Sequence, residues 1–253
     1  VLCVVFEQHA RPYGKIEDGL PRWHVKLRRQ EMDKIDTKLT HSNIAFVPNT
    51  AVGRDLALEE LLRWGPSALV LATGAGRDRP LPLPGIDGYV GRGFYYQNPL
   101  VYWFNHWQEP GYRGEQVALA DGALVVGGGL ASLDVVKILM LETVAQALAA
   151  RGAAVDLLEL ERLGIARCLE EQGLGLDALG LRGCRLFYRR RLEDMPLVDL
   201  APAATPAQAE QARALRRRML KSFQTKYCFE FEDRQVPVGY LTAGDRLAGL
   251  RMA

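Results

Sequence analysis

The sequence predicts an α/β fold built on parallel sheets, and three observations lead to that fold class. Short apolar runs rich in β-branched residues alternate along the chain with charged, amphipathic segments. Such alternation is typical of parallel strands connected by helices. Three consecutive glycines, Gly127 to Gly129, separate one apolar run from a segment with helical spacing. The chain has 253 residues, 48% of them hydrophobic, which is enough to bury the core of one or two domains.

Charge and cysteine content argue against several classes of protein. The net charge of +2 is too small to indicate nucleic-acid binding by itself. No apolar run approaches the length of a membrane span, and no signal peptide precedes the first strand. The four cysteines form no Cys-x-x-Cys pair, so no redox disulfide, zinc site or iron–sulfur site is predicted. Four scattered thiols are typical of a protein in the reducing cytoplasm, and we expect no bound metal.

The first part of the chain predicts alternating strands and helices. Val1–Glu7 is an apolar, β-branched run that ends in an acid, as expected of a buried parallel strand. Because a domain rarely begins inside its own core, we expect this chain to be a piece of a longer protein. Helices are predicted at Val25–Leu39 and Leu56–Trp64, and strands at Asn43–Val47 and Ser67–Ala75.

The stretch from Ala123 to Leu139 predicts a nucleotide-binding turn. Ala123–Val126 has the pattern of a strand, and a helix is expected to begin near Leu130. A strand, a glycine turn and a helix N-terminus together seat a dinucleotide pyrophosphate, because the helix presents unpaired N–H groups and its positive dipole end. Gly127 would permit the sharp turn, and Gly129 would let the backbone approach the phosphates.

The spacing of this turn is Gly-x-Gly-x-x-Ser, so Ser132 stands where the pattern has Gly or Ala for close helix–strand packing. The alternative interpretation is a glycine-rich turn before an ordinary helix. The residues predicted to bind the nucleotide here are Gly127, Gly128, Gly129, Leu130 and Ala131.

Two segments after the glycine helix are candidates for the second strand, and they predict different cofactors. Val155–Glu161 ends in acids that would accept a ribose 2′-hydroxyl, which favours NAD. Cys184–Arg191 ends in three arginines that would grip a 2′-phosphate, which favours NADP. An exposed strand-end arginine cluster without a ligand is the alternative for the second segment.

The C-terminal part predicts one long helix and closing strands. Thr205 has the character of a helix N-cap and Pro206 suits the first helical position of Thr205–Phe223. The basic tract of this helix is either a solvated face or a docking surface for an acidic electron-transfer partner. Strands are expected at Tyr227–Glu232 and within Gly239–Met252, around a Gly-Asp turn.

Several blocks of the sequence resemble a known family. FEQHARPYGKIEDGLP, NTAVGRD, LVLATGA and LPLPGIDG are similar to successive blocks of the flavin domain of adrenodoxin reductase and the glutamate synthase small subunit. The segment YQNPLVYWFNHW resembles the adrenodoxin reductase branch, and the glycine turn resembles the second, nicotinamide-binding motif of this pyridine nucleotide-disulfide oxidoreductase superfamily. The resemblance runs from residue 1 to about residue 197 and implies FAD and NADP as cofactors, with NAD as the alternative.

The resemblance also assigns roles to individual residues. Glu7 would hold the adenosine ribose of FAD, Val52 would meet the adenine with its backbone, and the YRR block would place Arg189 and Arg190 on the 2′-phosphate of NADP. The family reaches that strand directly from the glycine helix, so the intervening Val155–Gly183 is interpreted as a largely helical insertion. Further residues expected along the flavin are Pro12, Tyr13, Gly14, Thr73 and Gly74.

The resemblance implies two Rossmann-like dinucleotide-binding domains with parallel sheets, of which the first is incomplete. Residues 1–100 would form a partial FAD-binding domain, and residues 101–253 an NAD(P)-binding domain with a helical insertion near 160–183. The implied activity is hydride transfer from NAD(P)H to FAD, with electrons passing onward to an iron–sulfur protein or a partner subunit. The alternatives are a glutamate-synthase-type small subunit of a larger complex and a non-catalytic nucleotide-binding scaffold. No side chain is expected to act as a catalytic group, since the cofactors supply this chemistry.

Overall fold

The computed structural model describes all 253 residues, Val1–Ala253, as a mixed α/β chain with small parallel sheets. The chain divides into two compact units, Val1–Asp78 and Arg79–Ala253.

The first unit is a two-stranded parallel sheet with three helices. The strands β1 (Cys3–Phe6) and β2 (Ile44–Val47) pair in register, with Cys3 opposite Ile44 and Phe6 opposite Val47. The helices are α1 (Lys15–Asp18), α2 (Val25–Leu39) and α3 (Leu58–Arg63). The strands and the two longer helices confirm the alternation predicted from the sequence.

Two expectations for the first unit are wrong. The strand at Val1–Glu7 is present but not buried, because a two-stranded sheet leaves Leu2 69% and Val4 42% exposed. Ser67–Ala75 forms no strand, and Val70 in its middle is 81% exposed. A strand needs a neighbouring backbone to satisfy its N–H and C=O groups, and this segment pairs with neither strand of the sheet.

The second unit contains a three-stranded parallel sheet in the order β3-β4-β5. Its strands are β3 (Leu124–Val126), β4 (Arg185–Tyr188) and β5 (Glu230–Asp233). They pair in register, so the three carboxyl ends lie along one edge of the sheet. The opposite edge is fixed by Asp121, whose carboxylate accepts hydrogen bonds from the backbone N–H groups of Arg182 at 2.9 Å and Gly183 at 2.9 Å.

One helix of the second unit packs directly on β3 and β4 of this sheet. The glycine helix α5 (Leu130–Ala149) is buried on all sides along Val135–Glu142, which explains its nearly continuous apolar sequence. The helix α4 (Gln97–His106) precedes β3 and packs on α5. The remaining helices are α6 (Leu157–Leu163), α7 (Ile165–Glu170) and α8 (Pro206–Tyr227).

Of the two candidates for the second strand, Val155–Glu161 is wrong, because this segment enters α6. The carboxylate of Asp156 accepts the N–H of Glu159 at 2.8 Å and so caps the helix. The strand paired with β3 is instead β4, the segment that ends in arginines. The geometry therefore selects Cys184–Arg191 over Val155–Glu161 as the second strand.

The C-terminal elements largely follow the sequence. Thr205 caps α8 by accepting the N–H of Gln208, and the side chain of Gln208 accepts the N–H of Thr205 in return. The helix extends to Tyr227, so β5 begins three residues later than the sequence predicts. The strands β6 (Pro237–Ala243) and β7 (Arg246–Met252) form the expected antiparallel hairpin.

None of the helices combines the length and the apolarity needed to cross a membrane. The structure brings together no group of three or more His, Cys, Asp or Glu side chains able to hold a metal ion. All four cysteines are free thiols.

We expect alkylating reagents to distinguish Cys184 from Cys3 in the folded protein. Burial raises the pKa of Cys184 to about 12, so at pH 8 it holds its proton and lacks the reactive thiolate. Cys3 is exposed. Mass spectrometry after brief iodoacetamide treatment should find Cys3 modified and Cys184 intact, and the urea-unfolded protein should be modified at both. Rapid modification of Cys184 in the folded protein would contradict its burial.

Candidate functional site

The turn between β3 and α5 leaves the first N–H groups of the helix available to an outside acceptor. Gly129 is the N-cap residue and has no side chain to cap the helix. No acidic side chain stands in the first turn, and Leu130 is 52% exposed. The positive end of a 20-residue helix therefore opens to solvent at the carboxyl edge of the sheet, where an anion is favoured.

Close packing explains Gly127 better than the sharp turn expected from the sequence. None of the three glycines of the turn has a positive φ. A Cβ on Gly127 would lie 2.7 Å from the Cβ of Ser132, too close for two carbon atoms. Ser132 is fixed there because its hydroxyl donates to the carbonyl of Gly129 at 2.6 Å. With glycine at position 127, the Ser132 side chain therefore does not prevent close contact between the helix and the strand.

Gly128 is required for a different reason, which is the ring of Tyr188. A Cβ on Gly128 would overlap the ring carbons Cδ2 and Cε2 of Tyr188, which is buried at the end of β4. A Cβ on Gly129, by contrast, would meet only Cγ of Pro196 at 3.8 Å, an ordinary contact. Gly128 therefore faces protein, while the surroundings of Gly129 leave room for a ligand.

Tyr188 joins the glycine turn to the arginine cluster. Nε of Arg190 donates to the Tyr188 hydroxyl at 3.0 Å, and its guanidinium carbon lies 5.8 Å from the ring centroid. The same hydroxyl donates to the backbone carbonyl of Asp194 at 2.9 Å. Two sequence-predicted site residues, Gly128 and Arg190, are thus brought together through a side chain that the sequence analysis did not single out.

The loops after β4 and β5 complete this carboxyl edge. Arg189 and Arg190 are both exposed, and the carbonyl of Arg190 accepts the N–H of Arg234 at 3.1 Å. Asp233 accepts the N–H of Leu192 at 3.0 Å, which ties the loop after the arginines to β5. The edge therefore carries a helix N-terminus together with arginines from two loops, an arrangement suited to a ligand with more than one phosphate.

The basic tract of α8 is mostly engaged within the protein. Arg213 pairs with Glu210 at 3.0 Å, and Arg217 pairs with Glu210 and Glu193 at 3.0 and 3.1 Å. Arg216 donates to two backbone carbonyls of the loop after β4. Only part of the tract, including Arg218 and Lys221, is left as an exposed basic surface.

The flavin residues expected in the first unit lie partly together. Glu7 directly follows β1, and its carbonyl accepts the N–H of Thr50 at 2.8 Å, so the loops after β1 and β2 meet. The Glu7 carboxylate accepts the N–H of His9 at 2.9 Å. The hydroxyl of Tyr13 donates to Asp36 at 3.1 Å, and burial and this carboxylate raise the pKa of Tyr13. Val52 is 44% exposed in the loop after β2.

The other residues expected along the flavin lie in the loop before α1 and in the segment 67–75. Pro12 and Gly14 flank Tyr13 in the loop before α1, and Gly14 has a φ of 46°. Thr73 and Gly74 lie on the exposed, non-strand segment, so the structure does not bring them to the end of a sheet strand. The first unit thus brings the loops after β1 and β2 together, and Glu7 and Val52 lie on these two loops.

A buried ionic cluster connects the glycine helix α5 with two other helices, and the sequence analysis did not identify it. Nζ of Lys137, whose side chain is 6% exposed, lies 2.6 Å from Oε1 of Glu161, and the Tyr227 hydroxyl donates to the same oxygen at 2.9 Å. Burial alone would raise the pKa of Glu161. The hydrogen bond and the charge of Lys137 lower it by more, so the pKa lies below its usual value. Burial and the Glu161 carboxylate raise the pKa of Tyr227. The cluster joins α5, α6 and α8.

These features define an α/β chain with a glycine turn and exposed arginines at the carboxyl edge of a parallel sheet. Comparisons with known proteins find relatives of this chain. Cindoxin reductase of Citrobacter braakii is 29% identical over 138 residues, and the probable mitochondrial NADPH:adrenodoxin oxidoreductase of Schizosaccharomyces pombe is 31% identical over 138 residues. The glutamate synthase [NADPH] small chain of Bacillus subtilis is 30% identical over 135 residues.

These alignments cover 54%, 54% and 52% of this chain and 28%, 28% and 26% of the respective relatives. The chain therefore aligns with about a quarter of the length of these relatives. No protein-family model matches the chain.

A mutant of FprA from Mycobacterium tuberculosis has a similar fold, with a TM-score of 0.67 and 18% identity over 99% of this chain and 56% of FprA. The chain is thus a distant homologue, over about half its length, of the adrenodoxin reductase and glutamate synthase small-chain proteins. This confirms the resemblance predicted from the sequence.

Proposed function

We propose that the chain is part of a flavin-dependent NAD(P)H oxidoreductase with two Rossmann-like domains. In this proposal residues 1–100 contribute to FAD binding, and residues 101–253 bind NADP, with the helical insertion near 160–183 between α5 and β4. The observation that carries the proposal is the meeting of the glycine turn, Tyr188 and Arg190 at one edge of a parallel sheet. That arrangement matches the two ends of NADP that the protein must hold, the pyrophosphate and the 2′-phosphate.

Each part of the edge has a distinct role in this proposal. The N–H groups of Leu130 and Ala131 bind the pyrophosphate, and the open face of Gly129 lets it approach. The guanidinium groups of Arg189 and Arg190 bind the 2′-phosphate, which a bidentate contact distinguishes from a hydroxyl. A bound flavin would accept hydride from the nicotinamide, and the protein's own residues position the two cofactors.

The residues fit NADP more completely than FAD. For NADP the glycine cradle and the arginines are both in place. For FAD the chain provides the strand-end acid Glu7, the loop around Tyr13 and the exposed backbone near Val52, while Thr73 and Gly74 lie on an exposed segment. We therefore keep FAD as the proposed second cofactor on the strength of the sequence resemblance.

The flavin proposal is tested on the full-length protein. A flavoprotein oxidoreductase would be yellow as purified, and addition of NADPH under anaerobic conditions would bleach its absorbance near 450 nm. A colourless full-length protein that binds neither FAD nor NADPH in titrations would overturn the enzyme proposal and favour the scaffold alternative.

The NADP assignment predicts a selective loss when both arginines are removed. In the full-length protein, Arg189→Ala combined with Arg190→Ala should weaken NADPH binding about 30- to 100-fold, since two charge-assisted contacts to the phosphate are lost. NADH binding, which needs no 2′-phosphate contact, should change less than about threefold. Titration of protein fluorescence with each nucleotide measures both affinities.

The matched control is Arg213→Ala combined with Arg218→Ala, two arginines of α8 whose loss changes the net charge equally. This control should leave the NADPH-to-NADH preference as it is in the wild type. Equal weakening of both nucleotides by the Arg189 and Arg190 replacements would reject the assignment and reopen NAD as the cofactor.

The proposed electron acceptor is an iron–sulfur protein or a partner subunit. The names of two relatives, NADPH:adrenodoxin oxidoreductase and glutamate synthase [NADPH] small chain, correspond to these two possibilities. A glutamate-synthase-type subunit is therefore the second candidate, and isolation of the protein with its bound subunits from its native host separates the two. The proposed location is the cytoplasm, on the grounds of the four unpaired thiols.

A further inference from the structure

The loop that follows the arginines is held in place by helix α8. Nη1 of Arg216 donates to the carbonyl of Glu193 at 3.0 Å, and Nη2 donates to the carbonyl of Val198 at 2.6 Å. Arg217 adds an ion pair to the Glu193 carboxylate at 3.1 Å. Because one planar guanidinium spans both ends of the segment 193–198, the backbone between them has little freedom.

This loop in turn holds the hydroxyl of Tyr188. The hydroxyl donates to the carbonyl of Asp194. The preceding residue is Glu193, whose carbonyl accepts the hydrogen bond from Arg216. The ring of Tyr188 is clamped on its other side by Gly128, where no side chain would fit. Both the plane of the ring and the direction of its hydroxyl are thereby determined.

The oriented hydroxyl then fixes the orientation of the Arg190 guanidinium. It accepts the hydrogen bond from Nε of Arg190, the inner nitrogen of the guanidinium. An arginine bound through Nε still has the four N–H bonds of its two Nη groups to offer a ligand. The exposed end of Arg190 is thus preset for bidentate contact with a phosphate beside the glycine turn.

We propose that Tyr188 is a positioning residue for cofactor specificity, acting through Arg190, and that Arg216 supports it by fixing the loop 193–198. This inference rests on the proposed function, because it concerns how the 2′-phosphate site is assembled. Preorganisation of the arginine avoids loss of side-chain freedom when the phosphate binds, and so strengthens NADPH binding without affecting NADH. In this proposal the basic tract of α8 supports the nucleotide site through the contacts of Arg216 with the loop.

The direct test is Tyr188→Phe in the full-length protein, which keeps the ring against Gly128 and removes only the hydroxyl. We expect the dissociation constant for NADPH to rise about 3- to 10-fold and that for NADH to change less than about twofold. The matched control is Tyr112→Phe, which removes a hydroxyl that donates to the carbonyl of Glu115 at 2.9 Å, away from this sheet edge. The control should change neither constant.

A second pair of variants tests the support from α8. Arg216→Met removes both loop contacts, and Arg213→Met makes the same change of charge on the same helix without touching the loop. Arg216→Met should reduce the NADPH-to-NADH preference by a factor similar to that of Tyr188→Phe, whereas Arg213→Met should preserve it. Thermal unfolding of each variant defines a temperature at which all of them are folded during the titrations.

The outcomes separate this inference from the proposed function. A wild-type protein without preference for NADPH over NADH would overturn the proposed NADP site and this inference together. A wild-type preference that survives unchanged in Tyr188→Phe would overturn the inference alone. Equal weakening of both nucleotides by Tyr188→Phe would also overturn it, because Tyr188 would then support the turn and not the specificity.

Discussion

Replacing Lys137 by methionine is expected to lower the free energy of unfolding by about 3 kcal/mol or more. The change removes the cation and leaves the Glu161 carboxylate, which is 19% exposed, without the ion-pair partner that lies 2.6 Å away. Removing one member of a buried ion pair typically costs about 3–5 kcal/mol, because the other charge stays desolvated. Urea unfolding followed by circular dichroism measures the loss.

The matched control is the exposed pair Arg167–Glu171, which has a similar separation of 2.8 Å but side chains 65% and 55% exposed. Arg167→Met should cost less than about 1 kcal/mol, since solvent screens such a pair. Combining Lys137→Met with Glu161→Leu should restore most of the lost stability, because the unpaired carboxylate is then removed as well. A loss at Lys137 no larger than that at Arg167 would show that the cluster is not buried in solution.

The same cluster predicts a dependence of stability on pH. Since the pKa of Glu161 is lowered in the folded protein below its ordinary 4.5, its contribution is present above about pH 4.5 and is lost as the pH falls through the folded value. The wild-type free energy of unfolding should therefore decline more steeply below pH 4.5 than that of Glu161→Gln. Parallel pH profiles of the two proteins would contradict the ion pair.

Replacing Gly128 by valine is expected to disrupt both the fold and nucleotide binding. The new side chain would occupy the space of the Tyr188 ring, so either the ring or the turn must move. Overpacking of this kind costs about 1–3 kcal/mol, and displacement of Tyr188 also releases Arg190. We expect at least a tenfold loss in NADPH affinity, measured by titration, together with the loss of stability.

Gly129→Ala provides the contrast, since its Cβ meets no protein atom closer than 3.8 Å. Its stability should stay within about 1 kcal/mol of the wild type, while the affinity for NADPH and NADH falls together because both place a pyrophosphate there. Combining Gly128→Ala with Tyr188→Ala should destabilise the protein less than the sum of the two single changes, because the added methyl group then meets no ring. Additive effects of the two changes would argue against their contact.

The parts of this structure that the sequence predicts best are those specified by neighbouring residues. The glycine turn, the N-cap at Thr205 and the hairpin each depend on a few consecutive residues, and each appears where expected. The candidate strand at Val155–Glu161 is wrong although a local signal marks the start of α6, since Asp156 stands three residues before Glu159 in a capping pattern. The acidic strand-end interpretation competed with that signal and was wrong.

Other features depend on partners far away in the sequence. The apolar run at Ser67–Ala75 has the composition of a strand, but a strand exists only where a neighbouring backbone is in register. The engagement of Arg216 and Arg217 with the loop at Glu193 cannot be seen in the helix alone. The contact between Gly128 and Tyr188 likewise joins residues 60 positions apart, so the need for glycine there is visible only in three dimensions.

The connection between α5 and β4 has a consequence for how this chain can diversify. It contains α6 and α7, and it rejoins the sheet at the amino end of β4, where the Asp121 carboxylate clamps the backbone of Arg182 and Gly183. The carboxyl edge with the arginines lies at the other end of the strand, and its register is set by the pairing of β4 with β3 and β5. Residues can therefore be gained or lost in this connection without shifting the arginines onto the wrong face of the sheet. One end of the sheet can thus vary in length while the strand pairing that positions Arg189 and Arg190 is kept.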